Sequence, residues 1–400
     1  MSHVPDVIQL TQELIRIPSP SVQSNRELVE TLERWLASVP GAVELERVEY
    51  TDARGVEKIC LVARIGRGEG GLVFYSHTDT VPAASYDAAV DGGRVWGRGA
   101  CDMKGPIACV FCALLGVAHL CRSLYWVLTA DEEVGFTGAE HVVERSALYR
   151  EVRSKRLPGV ITEPTELAIV HGHKGCIVLR GVTLGEAAHS STGRGRNANL
   201  AMIPFLYELK RIHDELVSSE SWRDERFDPP VPGWNIVMSD GGTPPNVTAP
   251  YSEVQVSWRP MPGQPIQPVL DRVRAAANRC GVELEVRGLN HSPLFLAPDH
   301  PFVQAVVAAV RDLLEPKLGV VSYGTDGVVF GKYAPAVVLG PGSIEQAHRR
   351  DEWISVEQLQ LGVRVYRRLI EQFCGPDAEQ TASTEPTGPK ARTEAPGEAE

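Results

Sequence analysis

The spacing of hydrophobic and polar positions divides this chain into a long first part, a different middle part and a return to the first pattern. Apolar residues at helical spacing over 4–17 and 26–37 predict two helices. Continuous apolar runs then alternate with helical patterns, which is typical of a mostly parallel α/β sheet covered by helices on both faces. The strands are expected over 43–50, 59–65, 72–75, 124–129 and 158–161, and the helices over 105–120 and 138–149.

The order of elements changes near residue 176. The patterns there predict strand, helix, strand, strand, helix and strand, which is the ferredoxin-like order. These elements are expected over 177–184, 197–217, 234–240, 252–258, 267–279 and 282–288. The first pattern then resumes with a helix, a strand and a helix, over 301–314, 335–339 and 355–373. We therefore predict an α/β domain built from residues 1–175 and 291–374, with an α+β domain inserted over 176–290.

Composition and charge narrow the class of protein. Hydrophobic residues make up 43% and charged residues 23%, which is ordinary for a soluble globular protein, and 400 residues suit two domains. The net charge of −11 argues against nucleic acid as a partner. No apolar run reaches the roughly 18–20 residues that span a bilayer, and no secretory signal is visible, so we expect a cytoplasmic protein without a membrane partner. Residues 375–400 hold few large apolar side chains and are predicted to form a disordered tail.

The eight cysteines are dispersed and mostly lie in apolar runs, which predicts reduced, buried thiols. Cys109 and Cys112 form a C-x-x-C pair, which is compatible with a redox pair or with half of a zinc site. The apolar context of 107–115 and the lack of a second pair nearby favour a buried helix face instead.

Five separate segments each place a hard metal ligand beside glycine, proline or a turn. Two imidazoles and several carboxylates suit a site for two zinc-like ions, roughly 3.5–4 Å apart and sharing a carboxylate. Several of the segments follow the ends of predicted strands, where open α/β sheets bind their ligands. The pattern therefore predicts a metallohydrolase. The segments are His77-Thr78-Asp79, Cys101 to Gly105, Asp131-Glu132-Glu133, Thr162 to Thr165, and Gln346-Ala347-His348.

Each segment alone has a plainer interpretation. His77 and Asp79 suit an ordinary surface loop as well as a ligand with an orienting acid, and Asp102 suits a helix N-cap. Three acids at the end of a buried strand cost several kcal/mol without cations, although a solvated acidic turn is the alternative. Glu163 and His348, taken alone, are more often structural. Arg98 and Lys104 are expected to neutralise neighbouring carboxylates.

Ordered motifs across residues 5–374 resemble those of the di-zinc aminoacylase and carboxypeptidase family. The resemblance implies that the α/β part is a catalytic domain and that the inserted part is a lid and dimerisation domain. The motifs are 76–82, 97–105, 129–135, 163–165, 172–175, 189–191, 246–247, 259–263, 324–326 and 340–348.

The resemblance also implies a role for each metal-binding residue. His77 and Glu163 would bind one zinc ion, and Glu133 and His348 would bind the other. Asp102 would bridge the two ions. The expected cofactor is therefore two Zn²⁺ per subunit, with Co²⁺ able to substitute.

The remaining roles concern catalysis and the substrate. Glu132 would be the general base and Asp79 the orienting acid. His189 resembles a histidine that reaches the site of the partner subunit in a homodimer and stabilises the oxyanion there. Asn246 and Arg259 resemble residues that hold the substrate carboxylate. Gly324 and Thr325, in a further matched motif, are assigned to substrate binding.

The activity implied is removal of an acyl group, most simply acetyl, from an N-acyl-L-amino acid. Segments 259–263 and 340–348 are most similar to members that serve arginine biosynthesis. Alternatives within the family are desuccinylation, deacetylation of acetyl-lysine or acetylcitrulline, and dipeptide hydrolysis. A non-catalytic binding protein and an enzyme with a single essential metal remain further alternatives. The segment between Asp79 and Gly97 is shorter than usual in these deacetylases, and Pro106 replaces a more usual glycine, which bears on the substrate pocket.

Overall fold

The computed structural model describes residues 5–288 and 291–376. The predicted tail beyond residue 376 lies outside this part of the chain. The strands are β1 Val43–Thr51, β2 Glu57–Ile65, β3 Gly71–His77, β4 Ala89–Asp91, β5 Arg94–Trp96, β6 Ser123–Thr129, β7 Gly159–Ile161, β8 Ile169–His173, β9 Ile177–Leu184, β10 Gly233–Ser239, β11 Tyr251–Arg259, β12 Glu283–Arg287, β13 Leu294–Phe295, β14 Leu318–Val321, β15 Ala336–Val338 and β16 Trp353–Ser355. The helices are α1 Val7–Ile15, α2 Arg26–Ala37, α3 Lys104–Leu115, α4 Thr137–Arg145, α5 Ala147–Ser154, α6 Ala198–Ser218, α7 Ile266–Cys280, α8 Pro301–Val310, α9 Gly327–Phe330 and α10 Val356–Cys374.

Nine strands form the main sheet, in the order β1-β2-β6-β3-β7-β15-β8-β13, with β14 beside β8. The four central strands β6, β3, β7 and β15 run parallel to one another. The strands β1 and β2 at one edge are antiparallel because a short turn over 52–56 joins them directly. The predicted mostly parallel α/β sheet is confirmed for the centre, whereas most of the outer pairings are antiparallel and β14 pairs with β8 in parallel.

Helices bury apolar side chains against both faces of this sheet. One layer holds α1, α2, α3, α8 and α10, and the other holds α4, α5 and α9. Helix α3 is buried along nearly its whole length, and Cys109 and Cys112 are part of its core contacts. The cysteine pair therefore serves packing, as its apolar context predicts. Among the described residues, no helix is both long and apolar enough to cross a membrane.

A second, four-stranded sheet has the order β10-β11-β9-β12 and is antiparallel throughout. Helices α6 and α7 pack on one of its faces through a separate apolar cluster. The element order and strand order are ferredoxin-like, which confirms that part of the predicted fold.

Several local features differ from the prediction, two of them near the site or the sheet edge. The segment 138–149 is not one helix, because Ser146 adopts an extended backbone that ends the first helix. The Ser146 side chain accepts a hydrogen bond from the N–H of Tyr149 and so caps a second helix that begins at Ala147. A small sheet of β16, β5 and β4 was not predicted, since three residues per strand are too few for a periodic pattern. Gly92 and Gly93 form the β4–β5 turn with positive φ angles of 55° and 73°.

Candidate metal centre

The central parallel strands bring the predicted ligands to one edge of the sheet. His77 is the last residue of β3, and it pairs in register with Thr129, the last residue of β6. Glu132 and Glu133 follow β6 directly, and Glu163 follows β7, which lies on the other side of β3. Since parallel strands end at the same edge, residues far apart in sequence meet there.

Asp102 lies between two histidines. Its Oδ1 is 2.9 Å from His77 Nε2, and its Oδ2 is 3.5 Å from His348 Nε2. Each histidine also contacts one glutamate: His77 Nε2 lies 3.5 Å from Glu163 Oε1, and His348 Nε2 lies 2.8 Å from Glu133 Oε2. The five residues thus form two groups that share Asp102, the arrangement expected of a bridging carboxylate.

Ligand atoms converge more widely than these pairs. Potential donor atoms of His77, Asp102 and Glu133 all lie within 4.8 Å of one another, and so do those of His77, Glu132 and Glu163. Glu133 Oε1 is buried and has no hydrogen-bond partner among the described residues. Buried carboxylate oxygens without partners are costly, so the donor set fits hard divalent cations.

The electrostatics of the cluster support this fit. Burial, followed by the charge of Glu163, raises the pKa of Glu132 well above its ordinary value. Burial and the charge of Asp102 do the same to the pKa of Glu163. Burial also opposes ionisation of Asp102, but hydrogen bonds with His348 and His77 outweigh it and lower its pKa. The acids repel one another, and bound cations would relieve that repulsion.

Asp79 acts mainly on the acidic turn. Its carboxylate accepts hydrogen bonds from the main-chain N–H groups of Glu132 and Glu133, at 3.2 and 3.3 Å, and from Ser21 Oγ at 2.7 Å. His77 Nδ1 lies 2.9 Å from the carbonyl oxygen of Asp79 and 3.8 Å from its carboxylate. The ring of His77 is therefore oriented chiefly by the main chain of Asp79.

Asp131 points away from the candidate ligands. Its carboxylate lies 2.8 Å from the buried ammonium of Lys58 and accepts a hydrogen bond from the Tyr50 hydroxyl at 2.8 Å. Its φ of 59° is left-handed, which turns the chain toward Glu132. The acidic triplet therefore divides into one structural acid and two acids that face the cavity.

Four of the five candidate ligands line a cavity of about 400 Å³ that also contacts the second sheet, and the fifth, His77, contacts two of them. Arg259, at the end of β11, lines the same cavity and has no carboxylate within 4.0 Å among the residues described. A Cβ on Gly324 would lie 3.2 Å from Arg259 Nη1, so glycine leaves room for the guanidinium. The lining residues are Asp102, Glu132, Glu133, Val134, Gly135, Phe136, Glu163, Cys176, Val178, Ser257, Arg259, Tyr323, Gly324, Ile344 and His348.

Five predicted site residues do not line this cavity. His77 and Asp79 are buried, and His77 contacts Asp102 and Glu163, which do line it. The other three are Thr325, His189 and Asn246. Thr325 is buried, and its hydroxyl lies 3.0 Å from His173 Nε2. His189 and Asn246 are exposed on the second sheet's loops, where Ser190 N–H donates to the Asn246 carbonyl. Thr325 is thus placed to support the cavity wall, whereas His189 and Asn246 lie outside the cavity of their own chain.

One residue near the centre, Asp326, was not named as a site residue from the sequence. Asp326 accepts a hydrogen bond from Thr129 at 2.6 Å, and burial raises its pKa to about 6. Its place in the motif 324–326 was the available signal.

Lys104, expected to neutralise an acid, instead donates to the Ile17 carbonyl at 2.6 Å. Arg98 does pair with an acid, Glu352, at 2.6 Å.

Residues 73–372 match peptidase family M20/M25/M40. The chain belongs to this family. Acetylornithine deacetylase of Proteus mirabilis is 32% identical to it over 393 residues, covering 93% of this chain and 97% of the relative. Family membership makes the chain a metal-dependent hydrolase of amide bonds.

Solved structures show the same fold. A metallo-carboxypeptidase of the M20 family from Sulfolobus solfataricus aligns with a TM-score of 0.72 at 17% identity, covering 92% of this chain and 99% of that one. A dinuclear metal-binding M20 peptidase from Bacillus subtilis aligns with a TM-score of 0.58 at 17% identity, covering 91% and 96%. These likenesses confirm the predicted α/β architecture of this M20-family chain.

Proposed function

We propose that this chain deacetylates N-acetyl-L-amino acids, with N-acetyl-L-ornithine as the first substrate to test and arginine biosynthesis as its setting. The observation that carries the proposal is one cavity lined both by the acid–histidine cluster and by Arg259, which has no acidic partner among the described residues. The similarity to acetylornithine deacetylase over nearly the whole of both chains supports the choice of substrate.

The proposed cofactor is two zinc ions, for which cobalt would substitute. His77 and Glu163 would hold one ion, Glu133 and His348 the other, and Asp102 both. When bound, the ions would lower the pKa of a water molecule and polarise the amide carbonyl. The unpartnered Glu133 oxygen and the mutual repulsion of the acids support this assignment.

The protein's own residues position the substrate and move the proton. Arg259 pairs with the substrate α-carboxylate, which places the acyl group toward the acid–histidine wall. Glu132 accepts a proton from the attacking water and then donates it to the leaving amine as the C–N bond breaks, releasing acetate. Burial raises its pKa, which strengthens the carboxylate as a base toward the attacking water. The main-chain N–H of Glu132 donates a hydrogen bond to Asp79, which fixes the position from which the Glu132 carboxylate acts.

We further propose that residues 176–290 form a lid that also joins two chains into a dimer. His189 and Asn246 lie outside the cavity of their own chain, which supports a role in the cavity of a second copy. Strand β10 is an edge strand whose Val237 and Met238 are 56% and 50% exposed. An apolar strand edge is a natural pairing surface for another chain. Light scattering tests the dimer, and a fully active monomer would contradict the role of His189.

We place the protein in the cytoplasm. All eight cysteines are free thiols, and most are buried, which supports a reducing compartment.

The test of the substrate is amine release by zinc- or cobalt-loaded protein from a panel of N-acyl-amino acids. The panel contains N-acetyl-L-ornithine, N-acetyl-L-lysine, N-acetyl-L-citrulline, N-succinyl-diaminopimelate and a dipeptide. A kcat/KM of about 10⁴ M⁻¹s⁻¹ or more on acetylornithine, at least tenfold above the others, is the expected result. Preference for another member of the panel would keep the hydrolase and replace the substrate.

A further inference from the structure

Glu352 is a buried acid outside the predicted ligand set, and all of its hydrogen bonds run to the loop that carries Asp102. Its Oε1 accepts the main-chain N–H groups of Cys101 at 2.9 Å and Asp102 at 3.0 Å. Its Oε2 accepts the N–H of Gly99 at 3.0 Å and Arg98 Nη1 at 2.6 Å. The side chain is about 1% exposed, so these bonds are shielded from water.

The loop depends on this carboxylate because it has few internal bonds of its own. Within it, Ala100 N–H donates to the Gly97 carbonyl and Lys104 N–H to the Gly99 carbonyl. Without Glu352, three buried N–H groups would lose their acceptors, and each unpaired buried donor is costly. The main-chain position of Asp102 is therefore set by Glu352.

The same ion pair also reaches the segment that carries His348. Arg98 Nη2 donates to the carbonyl of Arg349 at 2.9 Å, one residue after His348. Gly97 N–H donates to the main-chain carbonyl of Glu352, and Trp96 pairs in register with Trp353. The Arg98–Glu352 pair thus ties the loop of Asp102 to the segment of His348.

We propose that Glu352 and Arg98 are positioning residues that fix the spacing between Asp102 and His348. They would thereby determine how tightly the metal ion of His348 and Glu133 is held. The inference rests on the proposed two-metal function. A group that only stabilised the fold would make similar hydrogen bonds but would leave metal affinity unchanged. Partners that orient ligands typically change metal affinity by about 10–100-fold when mutated.

The chain offers a matched control in Glu46. This carboxylate also accepts several hydrogen bonds, from Ser146 Oγ at 2.7 Å and from the N–H groups of Ala147 and Leu148 at 2.7 and 2.8 Å. It lies on β1 at the edge of the main sheet and does not line the metal cavity. Glu46 is only half-buried, so Glu46→Gln reports the effect of losing an acceptor of several hydrogen bonds away from the centre.

The experiment measures zinc affinity and stoichiometry of the full chain by competition with a chromophoric chelator, without substrate. Glu352→Gln keeps one acceptor oxygen and replaces the other with an NH2 group, so two of the four donors lose their acceptor. We expect one of two zinc sites to weaken about 10–100-fold in this variant, while Glu46→Gln lowers the Tm and leaves both sites unchanged. With substrate, kcat should fall more than KM rises.

Arg98→Lys is the second variant, and it decides the question if Glu352→Gln does not fold. Lysine keeps the charge beside Glu352 but lacks the fork that also reaches Arg349. It should weaken the same zinc site by less than Glu352→Gln does. Wild-type zinc affinity at both sites in either folded variant would overturn the proposal. Because zinc binding is read without substrate, failure of the proposed deacetylase activity would leave this result standing.

Discussion

Removing the ammonium of Lys58 tests whether the acidic turn depends on its buried ion pair. The side chains of Lys58 and Asp131 are 1% and 3% exposed, and their charged atoms are 2.8 Å apart. Lys58 also donates to the carbonyls of Ser21 at 2.7 Å and Gln23 at 2.9 Å. Lys58→Met leaves a buried carboxylate with only Tyr50 as a partner. Breaking a buried pair from one side costs about 3–5 kcal/mol, so we expect a loss of that size in the free energy of unfolding.

The loss should depend on pH in a defined direction. Burial already raises the pKa of Asp131, and the hydrogen bond and charge of Lys58 oppose that shift. Without Lys58 the pKa rises further above the unfolded value of about 3.9, so the folded variant binds this proton more tightly. The destabilisation is therefore complete above the folded pKa and shrinks as the pH falls through it. Its size should be smaller at pH 5 than at pH 8.

Urea unfolding of chelator-treated protein, followed by tryptophan fluorescence at both pH values, measures these quantities. Lys58→Met/Asp131→Asn should recover most of the loss, since removing both charges leaves no unpaired ion. The exposed pair Lys210–Asp214 gives the control, and Lys210→Met should leave stability unchanged. A loss under about 1 kcal/mol for Lys58→Met, or a loss equal at the two pH values, would refute the reasoning.

Three further predictions concern the site itself. Glu132→Gln should keep its metal content but lose about 10²–10⁴-fold in kcat, and turnover within tenfold of wild type would place the base elsewhere. Arg259→Met should weaken kcat/KM about 10–100-fold for N-acetyl-amino acids but not for their carboxamides, as measured side by side; an equal loss on both would contradict carboxylate recognition. EDTA should lower the Tm more at pH 7.5 than at pH 5.5. The pKa values of Glu132 and Glu163 are raised in the metal-free fold, so the folded state binds these protons more tightly than the unfolded state and loses stability as the pH rises. A Tm that EDTA leaves unchanged at both pH values would contradict a metal centre.

The larger elements could be read from the chain because their signals are local. Helix α2 was predicted at its observed bounds, since apolar residues repeat at helical spacing up to Ala37. The ferredoxin-like elements were likewise predicted within two residues, because each strand and helix is long enough to show its period. Strand β8, which reads Ile-Val-His-Gly-His, was missed because it is short. Two of its five residues are histidines, which count as polar and so break the hydrophobic pattern of a strand.

The candidate ligands were predictable as a set, while their supporting contacts were not. Glycine, proline and acidic residues at strand ends point to a site, so His77, Asp102 and His348 could be named in advance. The partner of Asp131 could not be, because Lys58 lies 73 residues earlier and meets it only when β2 pairs with β6. The sequence around Glu352 did not point to its role, and only the fold shows that its side-chain bonds run to the loop of Asp102.

The measurement that tests the central claim most directly is a zinc titration of metal-free protein with turnover of N-acetyl-L-ornithine followed at each step. The account predicts that turnover appears with bound zinc, saturates at two equivalents per chain and is abolished by Glu132→Gln at unchanged zinc content. Saturation at one equivalent would contradict the two-metal centre. Absence of turnover of any acyl-amino acid in the panel, with two zinc ions bound, would contradict the amidohydrolase itself.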